Sequence, residues 1–156
     1  LNGKIIITEF LRSQCGYCKR MLKILHDISK AHNDVKIVLK EYPILGPVST
    51  LAAQVALAAK KQNKYAEMHA AFMQLKGRLS EKAIFQIAKE LGLDTEQLQE
   101  DMMDPKILNH LTRTRELGKR LMIRGTPAFI INNTLSPGAL TKHQLLELIA
   151  QARDKR

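Results

Sequence analysis

The hydrophobic and polar positions of this chain predict a strand, a helix, a second strand, a run of helices, then two short strands and a last helix. Residues 4–10 are β-branched and mostly apolar, as in a strand, while residues 19–31 carry apolar side chains at helical spacing. Residues 35–42 predict the second strand, entered through Asn33-Asp34 and stopped by Pro43. After a break at 43–47, an alanine-rich helix is expected over 49–61, where Ala52, Ala53, Val55, Ala56, Ala58 and Ala59 permit close packing. Shorter helices follow at 64–75, from the Ser80 cap to Gly92, and from the Asp94 cap over 95–103. Pro105 suits a first helical turn, so 106–122 reads as one long helix with an apolar stripe of Ile107, Leu108, Leu111, Leu117, Leu121 and Met122. Residues 128–131, the Asn132-Asn133 turn and Thr134-Leu135 predict a hairpin that Ser136-Pro137-Gly138 closes. Thr141 then caps a final helix to about residue 153, with Leu145, Leu146, Leu148 and Ile149 buried.

Composition narrows the class. At 156 residues, 45% hydrophobic and 26% charged, the chain can bury a core of its own. No run approaches the roughly 18 apolar residues of a membrane span, so stable membrane insertion is not expected. No signal-peptide pattern opens the chain, but Leu1 stands only a few residues before a core-type strand, which reads as a trimmed start. The net charge of +10 raises nucleic-acid binding as a function. Its distribution argues otherwise: the basic residues are spread over several helices, and no stacking aromatics, helix-turn-helix or finger pattern accompany them. The expectation is no nucleic-acid partner, with the charge tuning encounters with acidic proteins.

The chemistry lies in Cys15-Gly16-Tyr17-Cys18, which holds the only two cysteines of the chain at a strand-to-helix junction. The unpaired N–H groups and positive dipole end of the helix stabilise a thiolate at its start, which favours Cys15 as the attacking sulfur. Arg12, Lys19 and Arg20 add positive charge nearby. Cys18, one turn in and expected to be less exposed, suits the resolving role that breaks a mixed disulfide. Two bland readings compete. A structural zinc site wants four ligands, and neither a second cysteine pair nor a well-spaced histidine pair is present. A purely structural disulfide closing so short a loop removes little unfolded-state entropy. Redox exchange is the reading that uses the motif, and it needs no metal or organic cofactor.

A strand, C-x-x-C at a helix start, a second strand, Gly125-Thr126-Pro127 before a short hairpin and a terminal helix together resemble the thioredoxin fold. The helical stretch between the halves resembles its DsbA-type branch of thiol-disulfide oxidoreductases. Glu9-Phe10, the segment from Lys40 to Pro47, Gly125-Thr126-Pro127-Ala128-Phe129 and Ser136-Pro137-Gly138-Ala139 resemble in particular the subgroup with Com1 and the suppressor-of-copper-sensitivity proteins. The resemblance implies an α/β thioredoxin fold, residues 1–47 and 110–156, with an inserted all-helical subdomain at 48–109. It implies Cys15 as nucleophile, Cys18 as resolving thiol and Pro127 as a cis proline opposite the pair, with Thr126, Gly125 and Tyr17 contacting the substrate. Glu9 matches the family's buried acid, which moves protons for the resolving thiol; from the residues alone it reads equally as a strand-edge carboxylate in water.

The chain departs from the family's best-known oxidases in carrying Gly16-Tyr17 between the cysteines instead of Pro-His, which removes an acidifying histidine and resembles the disulfide isomerases. The expected function is disulfide exchange with cysteine-containing client proteins, with a membrane redox partner resetting the disulfide, in the periplasm or cell envelope. The rival readings are an isomerase or reductase that depends on an N-terminal oligomerisation segment, and a non-catalytic holdase that binds unfolded peptides beside Thr126-Pro127.

Overall fold

The computed structural model of the protein describes residues 4–155, and its element order is the one the sequence pattern predicts. Strand β1 (Ile5–Leu11) leads to helix α1 (Gly16–Ala31) and strand β2 (Val35–Glu41). Helices α2 (Gly46–Ala59), α3 (Tyr65–Gln74), α4 (Glu81–Glu90), α5 (Thr95–Asp101) and α6 (Pro105–Arg120) follow, with a 3-10 turn at Lys60–Gln62. Strands β3 (Ala128–Ile131) and β4 (Thr134–Pro137) and helix α7 (Lys142–Asp154) complete the chain. No helix among the described residues is long and apolar enough to cross a membrane.

The four strands form one sheet in the order β2-β1-β3-β4. β1 and β3 are antiparallel, with Ile7 opposite Ile131, Glu9 opposite Phe129 and Phe10 opposite Ala128; β3 and β4 are a hairpin. Asn132 turns that hairpin at φ 52°, a conformation Asn tolerates. Its Oδ1 accepts the Ile6 N–H at 2.9 Å and its own N–H donates to the Ile6 carbonyl at 2.9 Å, locking the register of β3 on β1.

The chain divides into two compact units. One contains the chain up to Leu11, residues 15–40 and the chain from Ile123 onward; the other contains residues 12–14 and 41–122. The first is built around Ile5, Ile7, Met21, Ile28, Phe129, Leu145 and Ile149, which the sheet and the helices α1 and α7 supply. The second closes on the alanine face of α2, against Met68, Phe72, Ile84, Leu98, Ile107 and Leu111. The subdomain boundary expected at 109–110 falls inside α6, and the whole of that helix sorts with the second unit, because Ile107 and Leu111 belong to its core.

Three local expectations change. Helices α1 and α2 each begin three residues earlier than expected, α2 because Pro47 fits the first turn, where a missing N–H is no loss. Leu146 and Leu148 are only half-buried. In α6 the buried stripe is Ile107, Leu111, Thr114 and Gly118, whereas Leu117 is 37% and Met122 75% exposed. The stripe keeps helical spacing but ends on small residues, because the Tyr42 ring lies where a Cβ on Gly118 would be.

The second unit also buries Glu41 and His69, with a half-buried Tyr65 in contact with both. The Tyr65 hydroxyl donates to Glu41 Oε1 at 2.9 Å, and the Tyr65 ring stacks on His69, 5.9 Å between centroids. Burial pushes the Glu41 carboxyl up from its ordinary 4.5 to about 7, the Tyr65 hydrogen bond opposing. Burial likewise holds the His69 imidazole down from 6.5 to about 4. Between pH 4.5 and 6.5 the unfolded chain carries its proton on His69 and the folded chain on Glu41, so the two slopes of stability against pH cancel.

Single variants expose each slope. In Glu41→Gln the remaining His69 binds its proton only when unfolded, so stability falls as pH drops from 6.5 towards 4. In His69→Phe the remaining Glu41 holds its proton only when folded, so stability falls as pH rises from 4.5 towards 7. The limiting slope is about 1.4 kcal/mol per pH unit, read by urea unfolding across the range. Gly118→Ala is expected to lose roughly 1–2 kcal/mol in the same assay, the clash with Tyr42 outweighing the gain in helix propensity.

Candidate functional site

The site begins where β1 stops. After the turn at 12–14, Cys15 takes the N-cap of α1 with extended backbone, φ −105° and ψ 111°, and its Sγ accepts the Cys18 N–H at 3.1 Å. An N-cap oxygen from Ser or Asp normally fills this place; here a sulfur does. The first turn of α1 holds no acidic residue, so the dipole and the N–H act on Cys15 unopposed by a neighbouring carboxylate there. That cap is why α1 starts at Gly16: the sulfur accepts one of the unpaired N–H groups at the helix start.

Cys15 and Cys18 are joined in a disulfide with their Cα atoms 5.1 Å apart. The expected difference in exposure is not there, since Cys15 is 3% and Cys18 2% exposed. What separates the two sulfurs is the cap hydrogen bond. Across from them, the Thr126 carbonyl lies 3.3 Å from Cys15 Sγ. In the disulfide this is a contact without a proton; a reduced Cys15 thiol would donate there.

The Thr126-Pro127 peptide bond is cis, as the resemblance implied. Pro127 is buried and its carbonyl accepts the Gly138 N–H at 3.0 Å, tying this loop to the residue that follows β4. The Ser136-Pro137-Gly138 motif was legible as a strand stop, but its grip on Pro127 was not. Gly125 is exposed and Thr126 half-buried. Tyr17 is 57% exposed, with the Arg20 guanidinium carbon 4.4 Å from its ring centroid. Glu9 is 2% exposed, opposite Phe129 on β1. A solvated edge carboxylate is thereby set aside, because β2 and β3 flank β1 on both sides.

Residues 6–150, which contain the C-x-x-C helix and the cis-proline loop, match the family model described as DSBA-like thioredoxin domain. The chain belongs to the DsbA-like thioredoxin domain family. Its fold superposes with a TM-score of 0.94 on a thioredoxin-like oxidoreductase from Silicibacter pomeroyi DSS-3, 38% identical, covering 97% of this chain and 88% of that one. The thiol-disulfide exchange protein alpha-DsbA2 from Wolbachia pipientis is 30% identical over 96% of this chain and 82% of its own, with a TM-score of 0.88. A probable thiol:disulfide interchange protein DsbC from Bordetella avium is 31% identical over 96% of this chain and 44% of its own length. The chain spans from about a fifth to less than half of the curated relatives it matches. The thioredoxin fold and the DsbA-like family expected from the sequence are therefore the ones found, and Cys15–Cys18 is the C-x-x-C pair of a DsbA-like thioredoxin domain.

The cap geometry predicts which thiol reacts first. In reduced protein at about pH 6, iodoacetamide should label Cys15 at least about ten-fold faster than Cys18, measured by peptide mass after timed quenching.

Proposed function

We propose that the protein exchanges disulfides with cysteine-containing client proteins, through a mixed disulfide on Cys15. The observation that carries this is the N-cap position of Cys15, with its sulfur on the Cys18 N–H and against the Thr126 carbonyl. In the oxidising direction a client thiolate attacks Cys15 Sγ, the Cys15–Cys18 bond breaks, and Cys18 leaves as a thiolate that takes up a proton. A second client thiolate attacks the client sulfur of the mixed disulfide and releases Cys15 as a thiolate, stabilised by the cap. The client is oxidised by two electrons, and the pair gains two electrons and one proton, Cys15 remaining a thiolate. The reductive direction is the same path reversed, and the net direction follows the potential of the pair against that of the compartment.

The other residues take roles around this path. Glu9, buried in β1, supplies or accepts the proton of Cys18. The backbone of Gly125 and Thr126 pairs with an extended client segment, Pro127 walls the loop beside Cys15, and Tyr17 offers an exposed ring at the rim. The sheet unit carries this chemistry and the helical residues 41–122 form an insertion within it. Such exchange belongs in an oxidising compartment, hence the periplasm or cell envelope, with a membrane redox partner returning the pair to its working state.

The test is a trap. Cys18→Ser, whose Cys15 is a free thiol, should accumulate a mixed disulfide with a model client whose thiol is activated as its thionitrobenzoate disulfide, thionitrobenzoate leaving, and the product should be sensitive to dithiothreitol and located on Cys15 by mass. Cys15→Ser should form none and lose exchange by at least about a hundred-fold. A double Cys15→Ser, Cys18→Ser variant that still suppresses client aggregation, while the single variants trap nothing, would support peptide holding instead.

A further inference from the structure

We propose that Arg20, stacked on Tyr17, and Arg124 form a carboxylate-reading rim on either side of Cys15, selecting client cysteines flanked by acidic residues. This rests on the exchange reading above and names its substrate class. Tyr17 lies between the two cysteines and is 57% exposed, and Arg20, one helical turn on, is exposed with its guanidinium 4.4 Å over the ring. A cation held on a ring face keeps its edge N–H donors free for a carboxylate while losing little side-chain freedom on binding one. Arg124 is exposed two residues before Thr126, whose carbonyl touches Cys15 Sγ. One exposed arginine thus follows the reactive cysteine on α1, and another precedes the Thr126 that touches its sulfur.

Most acidic side chains of the same unit are committed elsewhere, and Asp154 lies exposed at the last residue of α7. Asp27 pairs with Lys23, Asp34 with Arg153 and Glu147 with His143, while Glu9 is buried. The first turn of α1 has no acid at all. None of these paired groups is paired with Arg20 or Arg124, which leaves both arginines for a carboxylate of the client. An extended segment advances about 3.3 Å per residue, which puts side chains within two or three positions of the client cysteine in reach of Arg20 and Arg124.

The experiment uses three dithiol peptides, identical except that Asp, Gln or Lys flanks each cysteine two positions away. Oxidised protein is mixed with each, and the rate is divided by that peptide's own rate with bis(2-hydroxyethyl) disulfide, which removes the effect of the flanks on the peptide thiol. The protein should prefer the Asp peptide over the Lys peptide by about five-fold or more at low salt, the scale of one or two exposed ion pairs. In 1 M salt, where charges are screened within about 3 Å, the preference should collapse. Arg20→Gln and Arg124→Gln should each lower the ratio at least about two-fold, and together bring it close to one. A ratio near one in the native protein, or a ratio that both variants leave unchanged while all three rates fall together, would overturn the rim; the second pattern belongs to a general effect on the Cys15 thiolate. Failure of the native protein to react with any peptide or with dithiothreitol would overturn the exchange reading itself, and the proposal with it.

Discussion

The antiparallel pairing of β1 with β3 is the constraint on which the site depends. Phe10 opposite Ala128 carries the end of β1 and the start of β3 to one edge of the sheet. Cys15 lies just beyond the first and Thr126 just before the second, so two residues 111 positions apart in sequence meet at 3.3 Å. Asn132, bonded twice to Ile6, closes the other end of the ladder and forbids a slip. A slip of one residue would turn every side chain of β3 to the opposite face, and the cis-proline loop would leave the sulfur.

The same economy appears at the helix start. One sulfur caps α1, and in the proposed exchange the same cap would hold the Cys15 anion. A Ser or Asp cap would serve the helix as well but has no redox chemistry. Structure and reactivity at Cys15 are thus a single interaction, and they respond together to anything that moves the first turn of α1.

The helical unit answers a different need. Its α2 face is nearly all alanine, which brings helices close, and α6 meets Tyr42 over a glycine. Close packing of small residues leaves little room for side-chain rearrangement. Within it, Glu41 and His69 are buried with opposite shifts, and folding moves the proton from the imidazole to the carboxyl over about two pH units. Over that range both buried groups are kept formally neutral, which is the least costly way to hold two titratable groups out of water.

Periodicity and punctuation determined the order of elements, because alternation, helical spacing, caps and turn residues act over a few neighbouring positions. Ser80, Asp94, Thr141 and Asn132 each appear at the boundary their chemistry predicts. The C-x-x-C pair and Gly125-Thr126-Pro127 were likewise legible as chemistry and as family. Only the tertiary structure decided what touches what. Leu117 and Met122 were assigned to a buried stripe on hydrophobicity, yet Thr114 and Gly118 hold it, because Tyr42 fills the space beside Gly118. The tertiary structure made β1 a central strand with Glu9 buried on it, and a hydrogen bond rather than exposure decided how Cys15 differs from Cys18. These are long-range or geometric facts: a local pattern states a residue's preference for apolar surroundings, while burial and partnership depend on which distant residues the fold brings beside it.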